Sequence, residues 1–203
     1  MSILKEQGGS PKARPYRMRR RAELVDATRQ RIIEAAVRLH TTVGASQASL
    51  SAVAKEAGVT RLTLYRHFAT QDELFVACRS HWRAEHPIPD PRPWAAIPDF
   101  EDRLRAALEG LYGWYRENGD DLFPLNRDLD AMPEAFRIAV RSSEARLAAL
   151  LLDGTDDALA ANPRLRAAVG HVISFWTWRS LVVTHGLSNA DAVDLAVGFV
   201  ARA

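Results

Sequence analysis

Side chains that can donate hydrogen bonds to nucleic acid crowd together between residues 60 and 67 of this 203-residue sequence. Arginine can bond guanine O6 and N7 with both arms of its guanidinium, threonine offers a hydroxyl and a methyl group, and an exposed leucine can pack on a thymine methyl. Phosphate oxygens need only donors, without base-specific geometry. The candidates for base contacts are Arg61, Leu62, Thr63, Tyr65 and Arg66, and those for phosphate contacts are Ser49, Thr60, Tyr65 and His67.

Catalytic chemistry finds less support in the sequence. There is no glycine-rich phosphate loop, no nucleophile elbow and no pair of histidines at metal-binding spacing. Cys78 and His81 lie three residues apart and could in principle form a thiolate pair. Cys78 shares an apolar stripe with Leu74 and Trp82, however, which favours a buried structural cysteine. We expect no enzymatic activity, no cofactor and no metal site.

Charge is distributed unevenly along the chain. Residues 1–86 carry 15 Lys and Arg against 8 Asp and Glu, whereas residues 87–203 carry 12 against 17. A basic front on an acidic body indicates that the front meets a polyanion, although a basic tail without a role is the alternative. The sequence contains neither an 18-residue apolar run nor a secretory signal pattern, so we expect a cytoplasmic protein without a membrane segment.

Two short helices must position the candidate DNA contacts. Ser49 can cap a helix that Gly58 ends, and Thr60 can cap the next, from Arg61 to Phe68. Leu64 and Phe68 share the inward face of this second helix, which leaves the donors outside. The arrangement predicts a helix-turn-helix whose second helix enters the major groove. The alternative is an ordinary helical hairpin.

The surrounding chain predicts an all-α protein of about nine helices, with an N-terminal three-helix helix-turn-helix domain and a C-terminal helical bundle. We divide it into a flexible basic arm over 1–25, a DNA-binding domain over 26–70, and a ligand-sensing and dimerisation domain over 71–203. Helix one is expected to start at Asp26 and end before Gly44, and another helix to start near Gln71. Arg19, Arg20 and Arg21 of the arm are further candidates for DNA contact.

Proline and glycine punctuate the C-terminal half. Five prolines within 86–98 predict a linker or an ordered loop. Beyond it we expect a helix over 99–118 that Gly119 stops, a short piece over 120–131 interrupted by Pro124, and a helix opened by Pro133. A polar loop over 153–162, a helix over 163–185 and a last helix capped by Ser188 complete the prediction.

Residues 28–82 also resemble the DNA-binding domain of tetracycline-repressor (TetR) family regulators. The specific blocks are Ala57-Gly58-Val59-Thr60 and Thr63-Leu64-Tyr65-Arg66-His67-Phe68. The resemblance implies an all-helical homodimer that represses transcription at a palindromic operator and releases DNA when a small molecule enters its C-terminal domain. It places Arg61, Leu62, Thr63 and Tyr65 near bases, and Ser49, Thr60, Tyr65 and His67 on the DNA backbone.

Two residues depart from the family pattern. Gln71 stands where the family often has lysine, and Leu62 stands where glycine is frequent. These departures put one phosphate contact in doubt, and the arginines at 17 and 19–21 could supply its charge from the arm.

The segment 163–185 is apolar on most sides, which one small domain seldom buries alone. We therefore expect a homodimer through 163–201, with a four-helix interface built from 163–185 and 189–201 of two subunits. A central helix inside the monomer is the alternative.

Aromatic walls with a few polar anchors are typical of small-molecule sites. We therefore expect a small apolar or aromatic effector. Taken singly, each such residue is more often part of the core than a ligand contact, and a C-terminal half that only dimerises is the alternative. The candidate contacts are Trp82, Tyr112, Tyr115, Phe123, Phe136 and Trp176, with Arg127, His171 and Arg179 as polar anchors; Trp94, Trp114 and His81 are further possibilities.

Overall fold

The computed structural model describes residues 13–156 and 161–203, and all regular structure in these ranges is helical. The predicted all-α class is therefore confirmed, with ten α-helices in the described ranges instead of about nine. They are α1 (Ala13–Thr42), α2 (Leu50–Glu56), α3 (Arg61–His67), α4 (Gln71–Glu85), α5 (Arg92–Ala95), α6 (Phe100–Arg127), α7 (Glu134–Leu152), α8 (Pro163–Val172), α9 (Phe175–Trp178) and α10 (Asn189–Val200). None of these helices is long and apolar enough to cross a membrane.

The first apolar core joins α1, α2, α3 and the start of α4. Ile32 and Ile33 of α1 pack there with Val53 of α2 and with Leu64 and Phe68. The next helix contributes residues to both cores: Leu74 and Cys78 of α4 lie in this core, whereas Trp82 lies in the core of the C-terminal half. α4 thus connects the two packed units.

Helix α1 begins at Ala13, so the predicted start at Asp26 is wrong. Residues 16–25 lack the apolar periodicity of a packed helix, and their described side chains are exposed. They are nevertheless rich in Arg, Met, Ala and Glu, which have high helix propensity. An ion pair between Arg19 and Glu23, 3.2 Å long and one turn apart, adds to it. Residues 1–12 of the predicted arm lie outside the described residues.

Helix α6 runs through both of its predicted breaks. A side chain at Gly119 would place its Cβ 2.8 Å from the Trp178 ring, so this glycine permits close packing and does not end the helix. Pro124 costs the helix one backbone hydrogen bond, and α6 ends soon after it, at Arg127. The predicted stop at Gly119 and the separate piece over 120–131 are therefore wrong.

The predicted single helix over 163–185 is broken after Val172. The hydroxyls of Tyr112 and Tyr115 donate to the carbonyls of Val172 and Ile173, both at 2.8 Å. These carbonyls would otherwise accept the next helical N–H groups. Ser174 then caps α9 by accepting from the amide of Trp176 at 3.2 Å. A π-helical stretch over Arg179–Thr184 follows, and Gly186, with φ +72°, ends it.

The proline-rich segment is ordered, and it contains the one-turn helix α5 that the sequence did not predict. Its Trp94 is buried against α6, where a Cβ at Gly110 would lie 2.7 Å from the indole. The main core of the C-terminal half is built around α6, with Leu104, Leu108 and Tyr112 packed near Val169 of α8. The predicted polar loop over 153–162 lies partly outside the described residues.

Candidate nucleic-acid interface and internal cavity

The hairpin of α2 and α3 is built by local hydrogen bonds, as its sequence predicts. Ser49 Oγ accepts from the amide of Ala52 at 3.2 Å, and Thr60 Oγ1 accepts from the amide of Thr63 at 3.1 Å. Between the helices Gly58 adopts φ +66°, a left-handed conformation that is unfavourable for residues with a side chain. The caps and the glycine together fix the angle at which α3 leaves α2.

Helix α3 turns one face inward and leaves the opposite face to solvent. Leu64 and Phe68 are each only 1% exposed, whereas Leu62 is 73% and Tyr65 42% exposed. Arg61 and Arg66 are exposed as well, while Thr63 and His67 are half-buried. The outer surface therefore carries both arginines, the leucine and the tyrosine, within a span of six residues.

Two of these residues act as a pair. Arg61 Nη2 donates to the Tyr65 hydroxyl at 3.2 Å, and its guanidinium lies 5.8 Å from the centre of the Tyr65 ring. At the helix end, Arg29 of α1 lies 4.8 Å over the Phe68 ring, which ties α3 to α1. The arginines Arg19, Arg20 and Arg21 are exposed on the first turns of α1.

A cavity of about 700 Å³ lies between α1, α4, α6, α7 and the proline-rich segment. Its walls are mainly apolar and aromatic. Among the predicted ligand contacts, the structure places Trp82, Tyr115 and Phe136 in this wall, together with Trp94 and Trp114. Phe75, Leu122, Leu125, Leu147 and Phe175 also line it.

The other predicted ligand contacts lie elsewhere. Tyr112 is fully buried in the core. Phe123, Trp176 and Arg179 form a separate cluster, with the guanidinium of Arg179 3.9 Å over the Phe123 ring. His171 packs beside Phe199 of α10, and His81 is held by Gln30 at 3.4 Å.

Two arginines that the sequence prediction missed line the cavity. Arg79 and Arg83 lie one turn apart on α4 and are both half-buried. Burial lowers the pKa of Arg83 from its ordinary value, and the neighbouring charge of Arg79 lowers it further. In the sequence these two arginines lie one turn apart beside the apolar stripe of α4, and this pattern could have indicated a place in the cavity wall. The same pattern is equally typical of arginines on a solvated helix edge.

His40 also lines the cavity, where its ring stacks on Phe75 with the ring centres 4.5 Å apart. Burial lowers the pKa of His40 to about 4, so the ring is neutral near pH 7. Cys78, its neighbour in the wall, donates its S–H to the carbonyl of Ile33 at 3.8 Å. Burial raises the pKa of that thiol to about 12, which leaves no thiolate for a pair with His81.

The end of α6 is joined to the loop between α1 and α2 by an arrangement that we call the Asp128 clasp, formed by Val43, Gly44, Ser46, Arg127 and Asp128. The carboxylate of Asp128 accepts from Ser46 N at 3.0 Å and from Ser46 Oγ at 2.6 Å. Arg127 donates to Asp128 at 2.8 Å and to the carbonyl of Val43 at 2.9 Å. These donors hold the pKa of Asp128 well below its usual range. Gly44 has φ +95° and no room for a Cβ beside the carboxylate.

Residues 32–78 match a known family. The family model for bacterial regulatory proteins of the tetR family matches residues 32–78, which include α2, α3 and the first half of α4. The likeness to this family thus covers α2, α3 and parts of α1 and α4. The resemblance drawn from the sequence is therefore confirmed.

Similar proteins match the chain over different lengths, from 39% of it to 86%. The HTH-type transcriptional regulator SrpR of Pseudomonas putida is 37% identical over 87 residues, which is 39% of this chain and 40% of SrpR. The match thus spans less than half the length of that curated relative. A TetR-like transcriptional regulator from Rhodococcus sp. RHA1 is 29% identical with a TM-score of 0.56, over 86% of this chain and 94% of that chain.

A second solved structure, the multidrug binding protein EbrR complexed with imidazole, is 25% identical with a TM-score of 0.54. The match covers 84% of this chain and 88% of EbrR. The likeness to these two solved structures therefore extends through the C-terminal bundle that holds the cavity.

Proposed function

We propose that this protein is a homodimeric transcriptional repressor that binds a palindromic operator and is released by a small molecule. The observation that carries the proposal is the outer face of α3, which presents Arg61, Leu62, Tyr65 and Arg66 within the matched tetR-family domain. Two subunits related by a two-fold axis present two such faces, and a symmetric protein reads a symmetric site. Action on DNA implies a cytoplasmic location.

Within this proposal α3 enters the major groove. Arg61 and Arg66 supply guanidinium groups for guanine, and Leu62 can pack on a thymine methyl. Ser49 and Thr60 cap α2 and α3, and His67 ends α3; these residues, together with Tyr65, suit phosphate oxygens, while Thr63 is a further candidate for base contact. Arg19, Arg20 and Arg21 add affinity that does not depend on sequence, because they would neutralise backbone charge.

The proposed dimer uses the exposed apolar side chains of the last helices. Leu195 and Phe199 lie one turn apart on α10 and are each about half exposed, as are Trp176 of α9 and Val183. A patch of this kind on two adjacent elements is typical of an interface. A second copy of the chain would cover it with its own α9 and α10, in agreement with the four-helix arrangement that the sequence predicts.

The effector would bind in the 700 Å³ cavity, whose volume is typical of small-molecule sites. α4 forms one wall and follows α3 directly in the chain. α6 forms another wall through Leu122 and Leu125, and it ends at the Asp128 clasp. A ligand that favours a shifted arrangement of α4 and α6 would displace α3, which is the differential binding that release requires.

Selection of bound fragments from bacterial genomic DNA, followed by footprinting, tests the proposal. We expect a symmetric protected site that disappears for the double variant Arg61→Ala, Tyr65→Ala. Arg116→Ala is the matched control, because Arg116 is an exposed arginine of α6 outside the interface. The absence of any symmetric site, or equal protection by the double variant, would contradict DNA reading by α3. Operator binding that no small molecule weakens would leave a dimeric DNA-binding protein without an effector.

A further inference from the structure

Two arginines of the cavity wall have no anionic partner among the described residues. Arg79 and Arg83 are half-buried there, and among the described residues neither makes an ion pair or a hydrogen bond to a carboxylate. Within the described ranges the one ring contact of Arg79 is with Phe136, at 5.8 Å. Two partly desolvated cations one turn apart repel each other and lose hydration, so their site is incomplete without an anion.

The remaining polar groups of the wall also favour a negatively charged ligand. Asp90 is already paired with Arg92 at 2.6 Å. Glu144 is an exposed carboxylate of the wall; partial burial raises its pKa, and the charge of Arg141 on the same helix lowers it. The indole Nε1 of Trp114 is buried without a hydrogen-bond acceptor among the described residues, while the indole N–H of Trp82 is committed to Asp121 at 2.8 Å. The uncommitted groups are therefore mainly donors.

The rest of the wall fits a flat apolar body. The rings of Trp82 and Trp114 meet edge to face with centres 5.8 Å apart, and the Tyr115 ring lies 5.6 Å from that of Trp114. The hydroxyl of Tyr115 is committed to the carbonyl of Ile173, so this residue offers the cavity its ring. Aromatic walls of this kind bind planar rings by stacking and by edge contacts.

We infer that the ligand of this cavity is an amphipathic organic anion, with an aromatic or apolar body against the Trp82, Trp114 and Tyr115 rings and its acidic group between Arg79 and Arg83. The inference rests on the proposed function, in which the cavity binds the effector, and it specifies the chemical class of that effector. Guanidinium groups hold carboxylate or sulfonate oxygens through charge-assisted hydrogen bonds.

A matched pair of fluorescent probes tests the inference on the full chain. 1-Anilinonaphthalene-8-sulfonate and N-phenyl-1-naphthylamine share one ring system, but only the first carries an anion. We expect the sulfonate to bind at least about tenfold more tightly, which is the effect of one charge-assisted hydrogen bond. Arg79→Gln and Arg83→Gln should each weaken sulfonate binding by about threefold to tenfold and leave binding of the neutral probe unchanged.

Control variants distinguish binding at the anion site from nonspecific binding of the probes. Arg116→Gln removes an exposed arginine of α6 and should change neither probe, and Arg83→Lys should restore part of the sulfonate affinity because the charge returns. Equal binding of the two probes, or a sulfonate preference that survives both Gln variants, would overturn the inference while leaving the cavity as an effector site. Failure of both probes to bind would overturn the effector site as well.

Discussion

The pair formed by Arg61 and Tyr65 holds one guanidinium in place on the outer face of α3. A side chain that is already oriented loses less conformational entropy when it binds. The fork of donors on Arg61 can contact two acceptors of one guanine, whereas a lysine offers only a point charge. Arg61 is thus the residue of α3 best placed for bidentate reading of a base.

We predict that Arg61→Lys lowers operator affinity by about tenfold, since a bidentate contact is worth roughly 1–3 kcal/mol of discrimination. Binding to DNA of scrambled sequence should hardly change, because the charge remains. Gel shifts with both DNAs measure the two affinities, and Arg116→Lys serves as the control. An equal loss on both DNAs would show that Arg61 contacts only the backbone.

His40 gives the fold a dependence on pH. Because burial lowers the pKa of His40 to about 4, the unfolded chain takes up a proton below about pH 6.5 while the folded chain does not. Stability is therefore complete above pH 6.5 and declines as the pH falls towards 4. We predict that His40→Phe, which keeps a ring to stack on Phe75, removes about 1 kcal/mol of the stability lost between pH 7.5 and 5.5.

Urea unfolding of both proteins at the two pH values measures this difference. The two proteins differ only at residue 40, so the comparison isolates the contribution of His40. If the two proteins lose equal stability on acidification, His40 does not carry the effect.

At the scale of single side chains, the sequence correctly predicted the features that depend only on neighbouring residues, such as helix caps and the buried face of α3. Ser49, Thr60 and Ser188 cap the helices that their positions indicate, and Leu64 and Phe68 are buried as helical periodicity requires. The roles of Arg79 and Arg83 were missed because an arginine beside an apolar stripe is usually solvated. Only the packing of α6 and α7 over α4 encloses them.

The bounds of the helices were also mispredicted where they depend on residues far away in the sequence. Gly119 reads as a helix stop, yet its role is set by Trp178, which lies far along the chain. The break in 163–185 depends on two tyrosine hydroxyls from α6 that capture its carbonyls. Propensity and periodicity describe one segment at a time, so interactions between distant segments lie beyond them.

The Asp128 clasp is the contact by which α6 could transmit a change in the cavity to the DNA-binding domain. We predict that Asp128→Asn lowers the free energy of unfolding by about 1–2 kcal/mol, since it weakens partly buried charge-assisted hydrogen bonds to Ser46 and Arg127. It should also reduce the loss of operator affinity that an effector causes, while probe binding in the cavity is retained. Thermal unfolding and gel shifts with and without 1-anilinonaphthalene-8-sulfonate measure these effects.

The matched control is Asp130→Asn, which changes an exposed carboxylate two residues away. A double-mutant cycle with Ser46→Ala should show strong coupling for Asp128 and none for Asp130. A normal response to the effector in Asp128→Asn would show that α4 and α1, which also line the cavity, connect it to α3 without the clasp.

At the scale of the whole molecule, the distribution of charge separates two tasks. The basic front contains α3 and the arginines of α1 that are proposed to contact DNA, while the more acidic remainder contains the proposed dimer face and the α6 and α7 walls of the cavity. Excess negative charge on the body disfavours its own contact with phosphates. Operator binding then depends on how the two DNA-binding domains are spaced in the dimer.

The dimer face supplies the last prediction. Leu195 and Phe199 are exposed apolar residues of α10, so the double variant Leu195→Asp, Phe199→Asp should place like charges across the interface and leave the monomer core intact. We expect sedimentation equilibrium to show a monomer with unchanged helix content. Operator affinity should fall by about a hundredfold or more, because two half-sites about 34–36 Å apart, or a multiple of that spacing, are no longer bound by one linked pair of domains. Ile138→Asp, at an exposed apolar residue of α7, is the control and should remain dimeric. A double variant that stays dimeric would exclude this face as the interface, and a monomer with full operator affinity would show that each domain binds DNA independently.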